Sequence, residues 1–103
     1  NFFEEKIDDH AGELETSVML HYYPELVRMD LAGDGNAGKF AIEGLNTKVA
    51  WLPRDWNKVT KDTGVGYPKK ATAEKGRRYM EAVIPKILQF VEDFTNKEIY
   101  HPL

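Results

Sequence analysis

The sequence contains no cysteine among its 103 residues. This absence excludes a disulfide framework and any metal site built on thiolates. A metal ion would therefore have to be bound by carboxylate and imidazole groups. A chain without cysteine is compatible with a reducing compartment, and we expect a cytoplasmic protein.

The sequence also lacks a long apolar run and an excess of basic residues. No stretch approaches the roughly 18 apolar residues that a membrane span needs, and nothing has the pattern of a secretion leader. Its 14 Lys and Arg residues are outnumbered by 17 Asp and Glu residues, which gives a formal net charge of −3. Such a balance offers no basic surface for phosphate backbones. We therefore expect neither nucleic acid nor a membrane as a partner.

The length of the chain fits one small domain or a piece of a larger one. Hydrophobic residues make up 42% and charged residues 30%, as in ordinary globular proteins. The first residue is Asn1 rather than Met. We expect that the chain begins after processing or inside a longer gene product.

The first part of the sequence predicts one amphipathic helix from Gly12 to Tyr23. Asp8 or Asp9 could accept hydrogen bonds from the free N–H groups at its start, and Pro24 marks its end. On a helical wheel the apolar side chains share one face, Leu14, Val18, Met19, Tyr22 and Tyr23.

The middle of the sequence, from Asp30 to Lys70, is dominated by turn residues and holds six of the eight glycines. Two short stretches are rich in β-prone residues and predict strands, Lys39–Glu43 and Val49–Leu52. The remainder has so little regular pattern that we expect it to wrap over another part of the protein.

The last part of the sequence predicts a long helix that begins at Thr72. Thr72 is a good N-cap, and an apolar stripe with helical spacing follows it: Met80, Val83, Ile84, Ile87, Phe90, Val91 and Phe94. Gly76 lies within the stripe, where a missing side chain permits close approach of another backbone. Pro85 lies on the polar face, so we expect it to bend the helix rather than break it.

Chemically useful side chains are concentrated at the start of the first helix. Five of them fall within eight residues: Asp8, Asp9, His10, Glu13 and Glu15. An imidazole beside carboxylates suits proton transfer near pH 7, because the carboxylates orient the ring and raise its basicity. The same pattern also fits a histidine that only caps or packs against the helix start.

The individual residues of this cluster leave alternatives open. His10 and Glu13 have a spacing that could hold a divalent ion, although hydrolytic sites need three or more protein ligands. Glu15 falls inside the apolar face, so it must be paired, capped or catalytic. Glu13 is expected to face solvent or a cleft. Farther along the chain, Trp51 and Trp56 could roof a pocket or cover a core.

The string from His10 to Ser17, His-Ala-Gly-Glu-Leu-Glu-Thr-Ser, resembles the Asp-x-His-Ala-Gly-x-x-Glu-Thr-Ser signature of the creatininase (creatinine amidohydrolase) family. Two further stretches are similar to that family, Val18–Leu20 with Pro24–Val27, and Gly64–Gly66 with Pro68 and Ala71–Gly76. Tyr67 departs from the Asp that is common before that proline. The resemblance covers about Asp8 to Phe94.

This resemblance implies an α/β fold, of which residues 1–103 would be the carboxy-terminal segment. The family fold has three α/β/α layers with a mostly parallel sheet, and its members form homo-oligomers, typically hexamers. They hydrolyse C–N bonds of small cyclic or linear amides with two Zn or Mn ions. The metal ligands of the family lie in its amino-terminal part, so no metal ligand is expected in this chain.

The resemblance also implies roles for the cluster around His10. His10 would be catalytic and pass a proton to the departing nitrogen, after a metal-bound water attacks the amide carbon. Asp9 or Glu15 would hold the imidazole ring, and Asp8 and Glu13 would contact the substrate. A second hypothesis is that the chain is a non-catalytic binding or assembly module.

Overall fold

The structure is a computed structural model that describes residues 3–4 and 8–103. Within those residues the regular elements follow in this order: strand β1 (Asp8–His10), helix α1 (Glu13–Tyr22), helix α2 (Glu43–Asn46), helix α3 (Trp56–Val59), strand β2 (Val65–Gly66) and helix α4 (Ala73–Asn96). Single 3₁₀ turns lie at Pro24–Leu26, Met29–Leu31 and Pro68–Lys70.

The two strands form one short antiparallel sheet. Asp8 lies opposite Gly66 and His10 lies opposite Val65, so the register shifts within β1. Such an irregularity is typical of a β-bulge, which re-aims the side chains around it. The described residues contain no parallel strand pair, so the predicted parallel sheet and its three layers are not seen in this part of the molecule.

Helix α1 confirms the predicted first helix, but it packs through the opposite face. Its start is capped by Asp8, whose Oδ2 accepts a hydrogen bond from the Leu14 amide at 2.7 Å. The side chains that α1 buries are Glu13 and Ser17, while Met19 on the predicted apolar face stays exposed. Within the described residues, the apolar face of α1 is therefore not the face that packs.

Helix α4 confirms the predicted last helix and its start. The Thr72 side chain accepts a hydrogen bond from the Lys75 amide at 3.1 Å, as an N-cap residue does. The helix continues through Pro85 without a break. Near its start, Gly76 lies so close to Ser17 that an added Cβ would fall 1.9 Å from the Ser17 carbonyl oxygen. This close approach sets how α1 packs on α4.

The middle of the chain has little regular structure, as predicted, but both predicted strands are wrong. Residues 39–42 are irregular and lead into α2, and residues 49–52 form no strand. The Asn46 side chain takes the place of a partner strand, because it bonds the amide and the carbonyl of Phe40 at 3.0 and 2.8 Å. A β-prone stretch forms a strand only beside a neighbour that pairs with it.

The described part of the chain buries few apolar side chains of its own. Its buried hydrophobic residues are Val65 and Ala71. The radius of gyration is 17.9 Å, whereas a compact domain of this length would have about 13 Å. Such an extended shape leaves the apolar face of α4 exposed, with Ile87, Phe90 and Phe94 each more than half accessible. Among the described residues, no helix is both long and apolar enough to cross a membrane.

Candidate functional site

The candidate site is the turn that joins β1 to α1, with His10 at its first corner. Ala11 has a φ of +51°, which is uncommon for a residue with a side chain, and Gly12 completes the turn into the helix. An added Cβ at Gly12 would meet the Asp8 carboxylate at 1.8 Å, so a side chain there would displace the carboxylate that caps α1. Backbone strain of this kind often marks a functional position.

Glu15 folds back over this turn, toward His10. Its Oε2 accepts a hydrogen bond from the Ala11 amide at 2.5 Å. The same oxygen lies 3.8 Å from Nδ1 of His10, which is too long for a hydrogen bond but close enough for an ion pair with a protonated ring. Both side chains are about half exposed, 51% for His10 and 58% for Glu15. Glu15 is thus capped and adjacent to the imidazole, and it is not buried in an apolar face as the helical wheel suggested.

Asp9 faces a different partner. Its Oδ2 pairs with the Arg54 guanidinium, and Arg54 in turn lies over the ring of Trp56, 4.7 Å from its centroid. The rings of Trp56 and His10 meet in a T-shaped contact, with a distance of 5.5 Å between their centroids. Of the two carboxylates proposed to hold the imidazole, Glu15 is therefore the one beside the ring, and Asp9 reaches it only through Arg54 and Trp56.

Asp8 has structural contacts in the described residues. One carboxylate oxygen caps α1 at Leu14, and the other lies against the place where Gly12 and Gly66 approach each other. The substrate contact proposed for Asp8 stays a prediction.

The prediction that Glu13 faces solvent or a cleft is wrong. Its side chain is completely buried, where Oε1 lies 2.7 Å from the ammonium of Lys75 and both carboxylate oxygens accept from the amide of Glu4. Hydrogen bonds to Glu13 and then Glu4 raise the pKa of Lys75 above its ordinary value. Such a buried pair fixes the start of α1 to the start of α4, because a buried carboxylate requires a partner.

A broad cavity of about 780 Å³ opens beside this site. Asp9, Arg54 and Trp56 form its wall nearest His10, and the chain from Ala37 to Pro53 forms the rest. Trp51 also lines it and is 83% exposed. Of the two alternatives for Trp51 and Trp56, the structure supports the pocket rather than the core.

Several of these residues were missed by sequence reasoning. Arg54 belongs to no recognisable motif, and its partner Asp9 lies 45 positions away in the sequence. Lys75 belongs to the stretch Ala71–Gly76 that resembles the family, but nothing local indicates that its ammonium reaches back to Glu13. Contacts of this range depend on the fold and have no signature in spacing.

The described residues do not form a metal site by themselves. Among residues 3–4 and 8–103, no group of three or more His, Asp or Glu side chains is placed to hold an ion. His10 with Glu15 supplies two such side chains, and Glu13 is bound to Lys75 instead of sharing an ion with His10. A hydrolytic metal centre needs at least three protein ligands, so this set does not fit one.

Comparison with known protein families gives one match that covers most of the chain. The sequence model of the creatininase family, described as creatinine amidohydrolase, matches residues 2–91. The site turn, the cavity and the first half of α4 all lie within that range.

Three relatives agree with this family match. The chain is 35% identical over 89 residues to a mycofactocin precursor peptide peptidase of Mycobacterium ulcerans, covering 85% of this chain and 34% of that protein. It is 36% identical over 78 residues to the peptidase of the same name from Mycobacterium tuberculosis, covering 75% of this chain and 29% of that protein.

The third relative is a crystal structure from Bacteroides fragilis, of a protein assigned provisionally as a creatinine amidohydrolase. It is 56% identical, with a TM-score of 0.90, and the match covers 96% of this chain and 39% of that one. This likeness confirms the α/β class of the fold. The chain spans about a third of the length of the curated relatives that it matches.

Proposed function

The chain belongs to the creatininase (creatinine amidohydrolase) family, and on that premise we propose that the intact protein hydrolyses the C–N bond of a small cyclic or linear amide. Residues 1–103 would form the carboxy-terminal segment of its single domain, within a three-layer fold whose parallel sheet lies in the rest of the protein. The relatives named as peptide peptidases favour a linear amide among the substrates.

We infer that this segment supplies the proton-transfer part of the active site. The observation that carries the proposal is the strained turn at Ala11, which holds Nδ1 of His10 beside the Glu15 carboxylate. Among the described residues nothing bonds the other ring nitrogen, Nε2, and we propose that it faces the substrate. A half-exposed imidazole next to a carboxylate is suited to general acid–base catalysis near pH 7.

The proton balance of amide hydrolysis defines what His10 has to do. Water adds across the C–N bond, so its oxygen stays on the carbonyl carbon and the nitrogen leaves with an additional proton. We propose that His10 delivers that proton from Nε2, while Glu15 stabilises the charged ring through Nδ1. Asp9 contributes less directly, by holding Arg54 over Trp56, whose ring contacts the imidazole.

We propose that the intact protein needs a metal ion for hydrolysis. The side chains placed together in the described residues do not fit a complete metal centre. We propose that Zn or Mn is bound by residues outside this chain, and that His10 supplies the proton from within it. A cytoplasmic location and assembly into a homo-oligomer remain predictions.

A second candidate function is a binding or assembly module without catalysis. The observation in its favour is the exposed apolar face of α4, which includes Ile87, Phe90 and Phe94. An apolar surface of this kind indicates contact with another protein surface. The same face would also be covered if the rest of the catalytic domain, or a second copy, packed against it.

The experiment that separates these candidates is an amide-hydrolysis assay on the intact protein loaded with Zn or Mn. Cyclic amides and short linear peptides would be supplied as substrates, and release of the new amine would be measured. We expect hydrolysis that a chelator abolishes. Metal-loaded, folded protein that cleaves no cyclic or linear amide would favour the assembly module.

A further inference from the structure

The cavity beside His10 is cationic as well as aromatic. Lys39, Lys48 and Arg54 line it, together with a single acidic side chain, that of Asp9. Asp9 is already paired with Arg54. Neither lysine has an ion-pair partner among the described residues. The cavity therefore contains two positive charges that its own wall does not neutralise.

The cavity wall also has an aromatic part, and one of its rings contacts the proposed proton donor. Trp51, Pro53 and Trp56 line the cavity, and the Trp56 ring makes a T-shaped contact with the His10 ring. Tryptophan presents a flat apolar surface on which an aromatic ring or a planar amide can stack. A volume of about 780 Å³ is within the usual range of small-molecule sites, roughly 300–1,000 Å³.

We propose that this cavity is a substrate subsite that takes the part of an amide remote from the scissile bond, and that it selects a flat apolar group next to a carboxylate. The inference rests on the proposed function, because it places the reacting C–N bond beside His10. N-acyl amino acids and the ends of short peptides have this chemistry. Trp51 and Trp56 would contact the apolar group, while Lys39 and Lys48 would attract the carboxylate.

The charge pattern argues for a carboxylate rather than a neutral ligand. Lys39 and Lys48 are both exposed to solvent, so each contributes a modest attraction to an anionic ligand, and a neutral ligand would gain none of it. Electrostatic attraction of this kind also raises the rate at which an anionic substrate enters. Binding should therefore weaken as the salt concentration rises.

The test measures binding to the intact protein with two probes that contain no amide bond. 3-Phenylpropanoate carries the ring and the carboxylate, and 3-phenylpropan-1-ol carries the ring without the charge. By calorimetry we expect the acid to bind more tightly than the alcohol. Lys39→Gln and Lys48→Gln should each weaken binding of the acid by about 2–5-fold, the usual contribution of an exposed ion pair. Neither substitution should change the affinity for the alcohol. Trp51→Ala should weaken the binding of both probes.

The matched control is Lys86→Gln, which removes one positive charge from the exposed face of α4, away from the cavity. It should change neither affinity. The proposal would be contradicted if neither lysine substitution changed the affinity for the acid. It would also be contradicted if neither probe bound to the protein. Because neither probe can be hydrolysed, a failure of the amide-hydrolysis assay would be seen separately from a failure of this binding pattern.

Discussion

The Nζ atom of Lys75 lies 2.7 Å from Oε1 of the completely buried Glu13. The ammonium also contacts the carboxylate of Glu4 and the carbonyl oxygen of Lys70, both at 2.9 Å. The first residue of α1 is thereby fixed to the first turn of α4 and to the segment that precedes it, three residues after His10 in the chain. The position of the proposed proton donor thus depends on a buried ion pair that contains no proposed catalytic residue.

Removal of the Lys75 charge should therefore destabilise the protein. Lys75→Met would leave the Glu13 carboxylate buried without its cation, which costs about 3 kcal/mol when one partner of a buried pair is removed. Chemical unfolding of the intact protein would measure the loss. Lys97→Met, which breaks the exposed pair with Asp93, is the control and should leave the unfolding midpoint almost unchanged. Equal effects of the two substitutions would contradict this account.

The pH dependence of that stabilisation follows from the direction of the pKa shift. Hydrogen bonds to Glu13 and Glu4 raise the pKa of Lys75 above its ordinary 10.5 in the folded state. A raised pKa contributes stability that is complete below the unfolded pKa, about 10.4, and is lost as the pH rises through the folded pKa. The difference in unfolding free energy between wild type and Lys75→Met should be constant from pH 7 to 9 and shrink above pH 10.5. A difference that shrinks toward acid pH first would assign the effect to another group.

The contact between α1 and α4 should be equally sensitive to added volume. Gly76→Ala would place a Cβ 1.9 Å from the Ser17 carbonyl oxygen, so the helices must separate, and overpacking of this kind costs about 1–3 kcal/mol. In Gly44→Ala, also within a helix, the new Cβ would meet its nearest atom at 3.9 Å, which is ordinary contact. We expect a lower melting temperature for Gly76→Ala and no decrease for Gly44→Ala. The reverse order would show that α1 does not pack here.

A comparison of Glu15 with Asp9 should decide which carboxylate supports His10. Glu15→Gln keeps an acceptor for the Ala11 amide but removes the charge beside the imidazole. We expect kcat to fall about 10-fold, less than the loss of a general acid–base itself, at an unchanged melting temperature. Asp9→Asn should reduce kcat less, because Asp9 acts through Arg54 and Trp56. A larger effect of Asp9→Asn would reverse these assignments.

The parts of the fold that were predictable have local signals. Thr72 lies one residue before α4 and bonds within its first turn, so sequence alone indicates the start of that helix. The small size of Gly76 likewise indicates a close contact at that point. The prediction of strands at residues 39–43 and 49–52 was wrong. A strand needs a neighbouring strand to pair with, and the β-propensity of a stretch does not show whether such a neighbour is present.

Glu13 is buried and Glu15 is exposed, the reverse of what the helical wheel indicated, and both differences have one physical cause. The helical wheel assumes that the apolar face of α1 is buried, but burial is decided by the surface that the helix meets. Here α1 meets α4 at Gly76. Because Gly76 has no side chain, the backbone of Ser17 can pack directly against it. The face of Glu13 and Ser17 is therefore enclosed, and Glu15 is turned toward His10. A sequence reveals the two faces of a helix, not its partner.

The most direct test of the central claim is the turnover number of His10→Asn in the intact, metal-loaded protein. The account predicts a fall in kcat of about 10²–10⁴-fold, the usual contribution of general acid–base catalysis. Metal content and melting temperature should remain at wild-type values, because His10 is half exposed and is not proposed as a metal ligand. Unaltered turnover, or inactivity that follows the loss of metal, would contradict the proposed role of His10 as the proton donor.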